Sequence, residues 1–179
     1  MEDALQAILT TARRPVREAV VSTDNSFLLI YPPHHELDVR WALRDRCYPE
    51  LRAQGHACEE FDLSGFLFTC FTPEEIVEQC DEEFRNYRFT RQGLAQRAEV
   101  RLTARFHELA RLHPGANLFV VSTVSLFPLV RYGEVLRQLR DLPLRIFIAF
   151  PGEERGGKPH FMNEPDGGNY LATKITFKF

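Results

Sequence analysis

No glycine-rich phosphate loop, dinucleotide fingerprint or Cys-x-x-Cys pair occurs in these 179 residues. A phosphate loop needs backbone N–H donors, then Lys and Ser/Thr at a helix start. The first apolar run instead enters Pro32-Pro33-His34-His35, and two prolines remove two donors. The one Gly-Lys unit, Gly156-Gly157-Lys158, has no Ser/Thr after it and reads as a surface turn. Cys47, Cys58, Cys70 and Cys80 are ten or more residues apart, a spacing that disfavours a zinc clamp and fits reduced thiols. His34 and His35 are adjacent and do not share a helix face, so they read with Glu36 and Asp38 as a helix start and not as a metal site. The Gly-x-Ser-x-Gly elbow of a serine hydrolase is missing. Net charge is only -3, so no global basic field holds a phosphate backbone, and dedicated DNA binding is disfavoured. No apolar run reaches bilayer length and no apolar leader follows Met1, which predicts a cytoplasmic protein without a membrane anchor.

Buried strands and amphipathic helices fill the rest. Hydrophobic residues make up 44%, with 15 Phe, enough for one core without metals or disulfides. No linker divides the chain, so 1–179 reads as one domain. A short helix over 3–11 stops at Pro15. Residues 26–31 form a continuous apolar run closed by prolines, as in a strand buried on both faces. Residues 34–54 read as a helix bent at Pro49, with Leu37, Trp41, Tyr48 and Leu51 on its apolar face and Gly55 at its end. A strand over 56–62 follows. Residues 63–71 read equally as a buried helical turn or a strand. Thr72-Pro73-Glu74-Glu75 is a capping box with proline at the first helical position, opening a helix to about residue 86. A further helix over 90–112 has the stripe Leu94, Ala98, Leu102, Phe106 and Leu109. Then come a strand over 117–122, a helix over 125–140 capped by Ser125 with Pro128 in its first turn, and a strand over 144–150 closed by Pro151-Gly152. Residues 153–169 read as a long loop, and 170–177 as an exposed edge strand.

This alternation predicts an α/β three-layer sandwich, a mostly parallel central sheet flanked by helices, Rossmann-like or NTPase-like without a P-loop. Right-handed crossovers gather the strand C-terminal ends on one edge, the usual place for a ligand. That edge comprises 31–36, 62–65, 122–125 and 151–155. The candidate partner- or ligand-binding residues are Ser122, Ser125, Arg131, Glu153, Arg155, Phe161 and Met162. Arg131 suits an anion. Phe161 and Met162 read equally as an anchor for a partner or as part of the core. No catalytic residue, cofactor site or metal site emerges.

Four segments follow one another in a familiar order: Phe27-Leu28-Leu29-Ile30-Tyr31-Pro32-Pro33; Val121-Ser122-Thr123-Val124-Ser125-Leu126-Phe127-Pro128-Leu129-Val130-Arg131; Phe150-Pro151-Gly152-Glu153; and Asn169-Tyr170-Leu171. In order and spacing they resemble the BrxB family, small subunits of bacterial BREX phage-exclusion systems. The likeness spans 27–175, with 61–115 matching in general character only. It implies a non-catalytic assembly or adaptor subunit of a complex that marks host DNA by adenine methylation and blocks phage replication. The implied partner is a PglZ-like protein of the alkaline phosphatase superfamily, with a BrxC-like ATPase and a PglX-like methyltransferase in the same complex. A homodimer through apolar strand ends or Phe-rich stretches is compatible with it.

Two rival expectations stand beside this one. The first is a degenerate nucleotide-binding or hydrolase domain whose edge contacts are Ser122, Ser125, Arg131 and Glu153. The second is direct DNA binding through Arg91, Arg97, Arg101 and Arg105, a basic run diluted by Glu99 and Glu108.

Overall fold

The apolar runs at 26–31, 117–121 and 145–150 lie side by side at the centre of one sheet in a computed structural model of the chain. The structure describes residues 1–16, 25–139, 141–162, 164–165 and 172–179, without the side chains of 81–85, 164 and 165. The elements in chain order are α1 (Glu2–Ala12), β1 (Ser26–Tyr31), α2 (Glu36–Ala42), α3 (Tyr48–Ala53), β2 (Cys58–Asp62), α4 (Pro73–Leu112), β3 (Asn117–Val121), α5 (Tyr132–Gln138), β4 (Arg145–Arg155), β5 (Lys158–Phe161), β6 (Glu164–Pro165) and β7 (Thr173–Thr176). Strands run in the order β2-β3-β4-β1-β7, all parallel. The expected α/β three-layer sandwich is what the chain forms.

Two cores sit on the two faces of the sheet, because strand side chains alternate. Leu28, Ile30, Leu118, Val120, Ile146 and Ile148 face α4 and α5. Phe27, Leu29, Phe119, Val121, Phe147 and Ala149 face α1, α2 and α3. The chain leaves β1 over one face, crosses to β2 at the sheet's edge, and returns through β3 to β4 over the other face. Reversing face with direction keeps each crossover right-handed. The switch point therefore falls between β1 and β4, where Tyr31 lies in register with Pro151.

The helix expected over 34–54 buries Tyr48 and Leu51 of the expected face but not the other two residues. Leu37 and Trp41 are 76% and 64% exposed, while Val39, Leu43, Cys47 and Leu51 are buried. The buried stripe recurs every fourth residue, slower than the 3.6-residue turn. A π turn at Leu43–Cys47, just ahead of Pro49, supplies the wider winding. Residues 63–71 resolve into a short 3₁₀ helix, Phe66–Cys70.

Thr72 forms the capping box: its hydroxyl accepts from the Glu75 amide, and the Glu75 carboxylate accepts from the Thr72 amide. The helix it opens breaks at Asn86 (φ -152°, ψ 56°), as the two expected helices require. The arms then fold back on each other. Arg97 reaches Glu75 at 2.8 Å, whereas 22 residues of straight helix would separate them by about 33 Å. The second arm lays Ala98, Leu102, Phe106 and Leu109 on the sheet. Between Ala98 and the break, Thr90 is the only buried residue among those described. The folded end of this hairpin therefore stands clear of the sheet.

Two further expectations are corrected. The helix placed at 125–140 begins only at Tyr132. Pro128 drives Phe127 into an extended conformation (ψ 139°), which ends the 3₁₀ turn Thr123–Leu126 and delays the helix. Ser125 lies inside that turn and caps nothing. The strand placed at 144–150 does not close at Pro151-Gly152 but continues to Arg155 and turns back through β5. The turn is Gly156-Gly157, both at positive φ (56° and 79°), the geometry of a two-residue hairpin. Gly152 has to be glycine, since a Cβ there would overlap the His160 carbonyl oxygen. The first part of the expected loop is thus a β-hairpin. In its later part Glu164–Pro165 pairs with β5 as β6, while 163 and 166–169, and Tyr170 and Leu171 of the expected edge strand, lie outside the described residues.

Candidate functional site

The strand C-terminal ends meet on one edge, and a polar network occupies it. Arg40, projecting from α2, donates from Nη1 to Ser122 Oγ (2.9 Å) and from Nη2 to Asp62 Oδ2 (2.8 Å). It thereby ties the end of β3 to the end of β2. Arg44, one turn later, lies 3.6 Å from the same Asp62 oxygen and also holds Glu60. Ser64 donates its amide to Asp62 Oδ1 at 2.9 Å. Partial burial raises the Asp62 carboxyl, but the Ser122 hydroxyl, the Ser64 amide and hydroxyl and the Arg40 charge outweigh it and hold it at about 2.

Ser122 is buried and takes left-handed backbone angles (φ 57°, ψ 34°), an uncommon state for a residue with a side chain. The next residue, Thr123, donates its hydroxyl to Ala149 O (2.7 Å), and Tyr132 donates to Thr123 O (2.6 Å). These two bonds pin the β3–α5 connection against β4. On the other side of the switch point, buried Tyr31 donates to Glu36 Oε2 at 2.6 Å. Burial and the neighbouring carboxylate push that phenol far above its ordinary value. Glu36 Oε1 is buried without a hydrogen bond.

A pH dependence follows from Asp62. Its folded-state pKa lies below the ordinary aspartate value of about 3.9. The carboxylate therefore stabilises the fold at pH above that ordinary value, and the contribution disappears as pH falls from about 4 to about 2. Asp62→Asn is expected to lower the urea midpoint at neutral pH. The gap from the parent chain should close as both are titrated toward pH 2. A gap that stays constant across that window contradicts the network.

The other residues singled out from sequence are dispersed. Ser125 and Arg131 are exposed, the latter at the N-terminal end of α5. Glu153 and Arg155 pair with each other on the hairpin. Phe161 is 2% exposed and packs against Phe127, Tyr132 and Phe150, so it belongs to the core. Met162 is half-buried at φ 49° and donates its amide to Pro151 O at 2.9 Å. Lys158 opens β5, and Gly157 O accepts from Lys174 instead. His35 contacts Asp38 (2.7 Å) and stacks on Phe179. Arg97 and Arg105 of the arginine run are paired with Glu75 and Glu108.

Sequence reasoning included Ser122 and the segment containing Asp62 but did not single out Arg40. The 82 residues between Arg40 and Ser122 carry no local signal that would join them. Three cysteines are buried, and burial raises the Cys47 and Cys58 thiols to about 12, far from reactive thiolates. Among the described residues no helix is long and apolar enough to cross a membrane. No family model, curated protein or solved structure matches the chain.

Proposed function

We propose that the chain is a non-catalytic assembly subunit of a BREX-type phage-defence complex that binds a PglZ-like partner. The order of motifs that resembles the BrxB family suggests the complex. One observation supports an adaptor: Leu37 and Trp41, four residues apart on α2, share an exposed apolar face on the helix whose Arg40 binds Ser122 and Asp62. Tryptophan flanked by arginine, here Trp41 beside Arg40 and Arg44, is the composition of protein-interface hot spots. Arg40 presents its guanidinium to Ser122 and Asp62, so these two edge groups already have a partner. The test is co-expression with a PglZ-like protein followed by size-exclusion chromatography. One co-eluting species is expected. Two folded proteins eluting apart would remove the adaptor role.

The left-handed backbone of Ser122 favours one competing reading, a degenerate nucleotide or hydrolase site at the switch point, because strained residues gather at ligand sites. Melting curves with nucleotides at about 1 mM separate the two, since a specific ligand raises the midpoint by mass action. The adaptor reading predicts no shift. A shift abolished by Ser122→Ala would install the ligand site in its place.

A further inference from the structure

The reversal of α4 has no turn sequence behind it. From Pro73 to Leu112 the residue that leaves helical geometry is Asn86, yet the arms on either side lie against each other. Antiparallel helices are ordinarily joined by a loop of about two to five residues, with glycine at the end of the first helix. Residues 74–92 contain neither glycine nor proline. Nothing local stops a continuous helix at 86, and contacts made elsewhere in the fold bend it. The reversal also leaves up to about four backbone donors and four acceptors that a straight helix would pair.

The contacts between the arms are sparse. None of 73–80 is buried, and a cleft of about 130 Å³ lined by Leu67, Phe71, Ile76 and Leu94 stays open between the arms. Arg97 bridges them, pairing with Glu75 and lying 4.7 Å over the Phe71 ring. The folded end projects beyond Ala98 by about 18 Å of helix. Tyr87 and Phe89, 58% and 71% exposed, stand at that end.

We propose that the chain forms a domain-swapped dimer in which α4 runs straight through Asn86, so that 1–85 of one copy completes the fold of 87–179 of the other. Every contact between the two halves is then remade between copies, including the β1–β4 and β2–β3 ladders and the Arg97–Glu75 pair. The exchange therefore costs no core packing, and only the hinge changes. Short hinges are where such exchange arises. Because the folded end stands clear of the sheet, the straight helices hold the two bodies apart and pass each other near Asn86. Tyr87 and Phe89 of both copies lie within one turn of that crossing, an apolar contact that the monomer leaves in water. The exchange does not depend on the BREX assignment, and each body keeps Leu37 and Trp41 exposed.

Refolding the full chain from urea at about 1 and about 100 µM, followed by light scattering, is the test. A monomer is expected at the lower concentration. At the higher, a dimer that survives dilution is expected, because the halves separate only by unfolding. Cross-linking reads the arrangement. In a Cys80→Ser background, Glu75→Cys and Arg97→Cys copies are refolded together at the higher concentration and treated with a short bis-maleimide. They should run as a covalent dimer on a denaturing gel, since residues 75 and 97 meet between copies. The same copies refolded apart and then mixed should stay uncoupled. Cys47, Cys58 and Cys70 are buried and take no label. Asn86→Ala favours continuous helix and should raise the dimer fraction at least about twofold. A Gly-Ser-Gly insertion after Asn86 supplies a loop and should abolish the dimer. These two variants decide the matter if a cysteine copy fails to fold. A monomer at every refolding concentration, a dimer that yields no cross-link, coupling between copies mixed after folding, or a dimer indifferent to both changes at 86 would each overturn the proposal.

Discussion

Replacing Phe147 by alanine is expected to destabilise the fold by about 3–5 kcal/mol, a large share of the roughly 5–15 kcal/mol that holds a domain together. Phe147 is fully buried at the centre of the sheet. It lies in register with Phe27 on β1 and Phe119 on β3, and the three rings form a ladder across adjacent strands. Ring centroids are 5.0 Å apart for Phe27–Phe147 and 4.6 Å for Phe119–Phe147, and Tyr48 of α3 continues the stack at 4.8 Å from Phe119. Truncation removes two ring contacts and leaves a cavity walled by rigid strands, which have little room to close it. Urea denaturation checks this through the midpoint. A loss below about 1 kcal/mol would mean that the ladder is not the packing centre of that face.

Arg145→Met is expected to cost about 2–4 kcal/mol and to loosen α1 first. Arg145 begins β4, is 3% exposed, and donates to Ala12 O (3.1 Å), Asn117 Oδ1 (3.1 Å) and Pro15 O (3.2 Å). It thus places a cation on the carbonyls at the C-terminal end of α1, where the helix dipole is negative. Opposing this, Nε is buried without a partner, and burial together with nearby Arg14 lowers the pKa. Desolvation alone would make methionine the better residue. Three hydrogen bonds from a charged donor, at roughly 1.5–3 kcal/mol each, outweigh that cost, and methionine leaves buried acceptors unmet. Amide exchange should show 2–12 losing protection before the sheet does. A variant as stable as the parent chain would show that the cost of burying the charge exceeds the gain.

Strand interiors were legible because four or five consecutive apolar residues leave few alternatives in a parallel sheet. The capping box at Thr72 was legible because local hydrogen bonding decides it. The face of α2 was not. Leu37 and Trp41 fit a 3.6-residue period with Tyr48 and Leu51, and only the π turn at Leu43–Cys47 moves the buried stripe to Val39. The β4–β5 hairpin was hidden because Glu153, Glu154, Arg155 and Lys158 are polar on both strands, although the Gly156-Gly157 turn signal was present. Phe161 belongs to the core through Phe127, Tyr132 and Phe150, contacts that no sequence spacing shows. The edge network has the same character: Arg40, Asp62 and Ser122 come from three elements, and only the strand order brings them together.

The adaptor role is tested most directly by measuring the affinity of a PglZ-like protein for the parent chain, for Trp41→Asp and for Phe89→Asp. Trp41→Asp should weaken binding by about 30-fold or more, as loss of an interface hot spot does, without lowering the melting midpoint, because Trp41 is 64% exposed. Phe89→Asp should bind the partner like the parent chain, because Phe89, 71% exposed, is carried by α4 and not by α2. No binding by the folded parent chain, or binding that Trp41→Asp leaves untouched, would contradict the account.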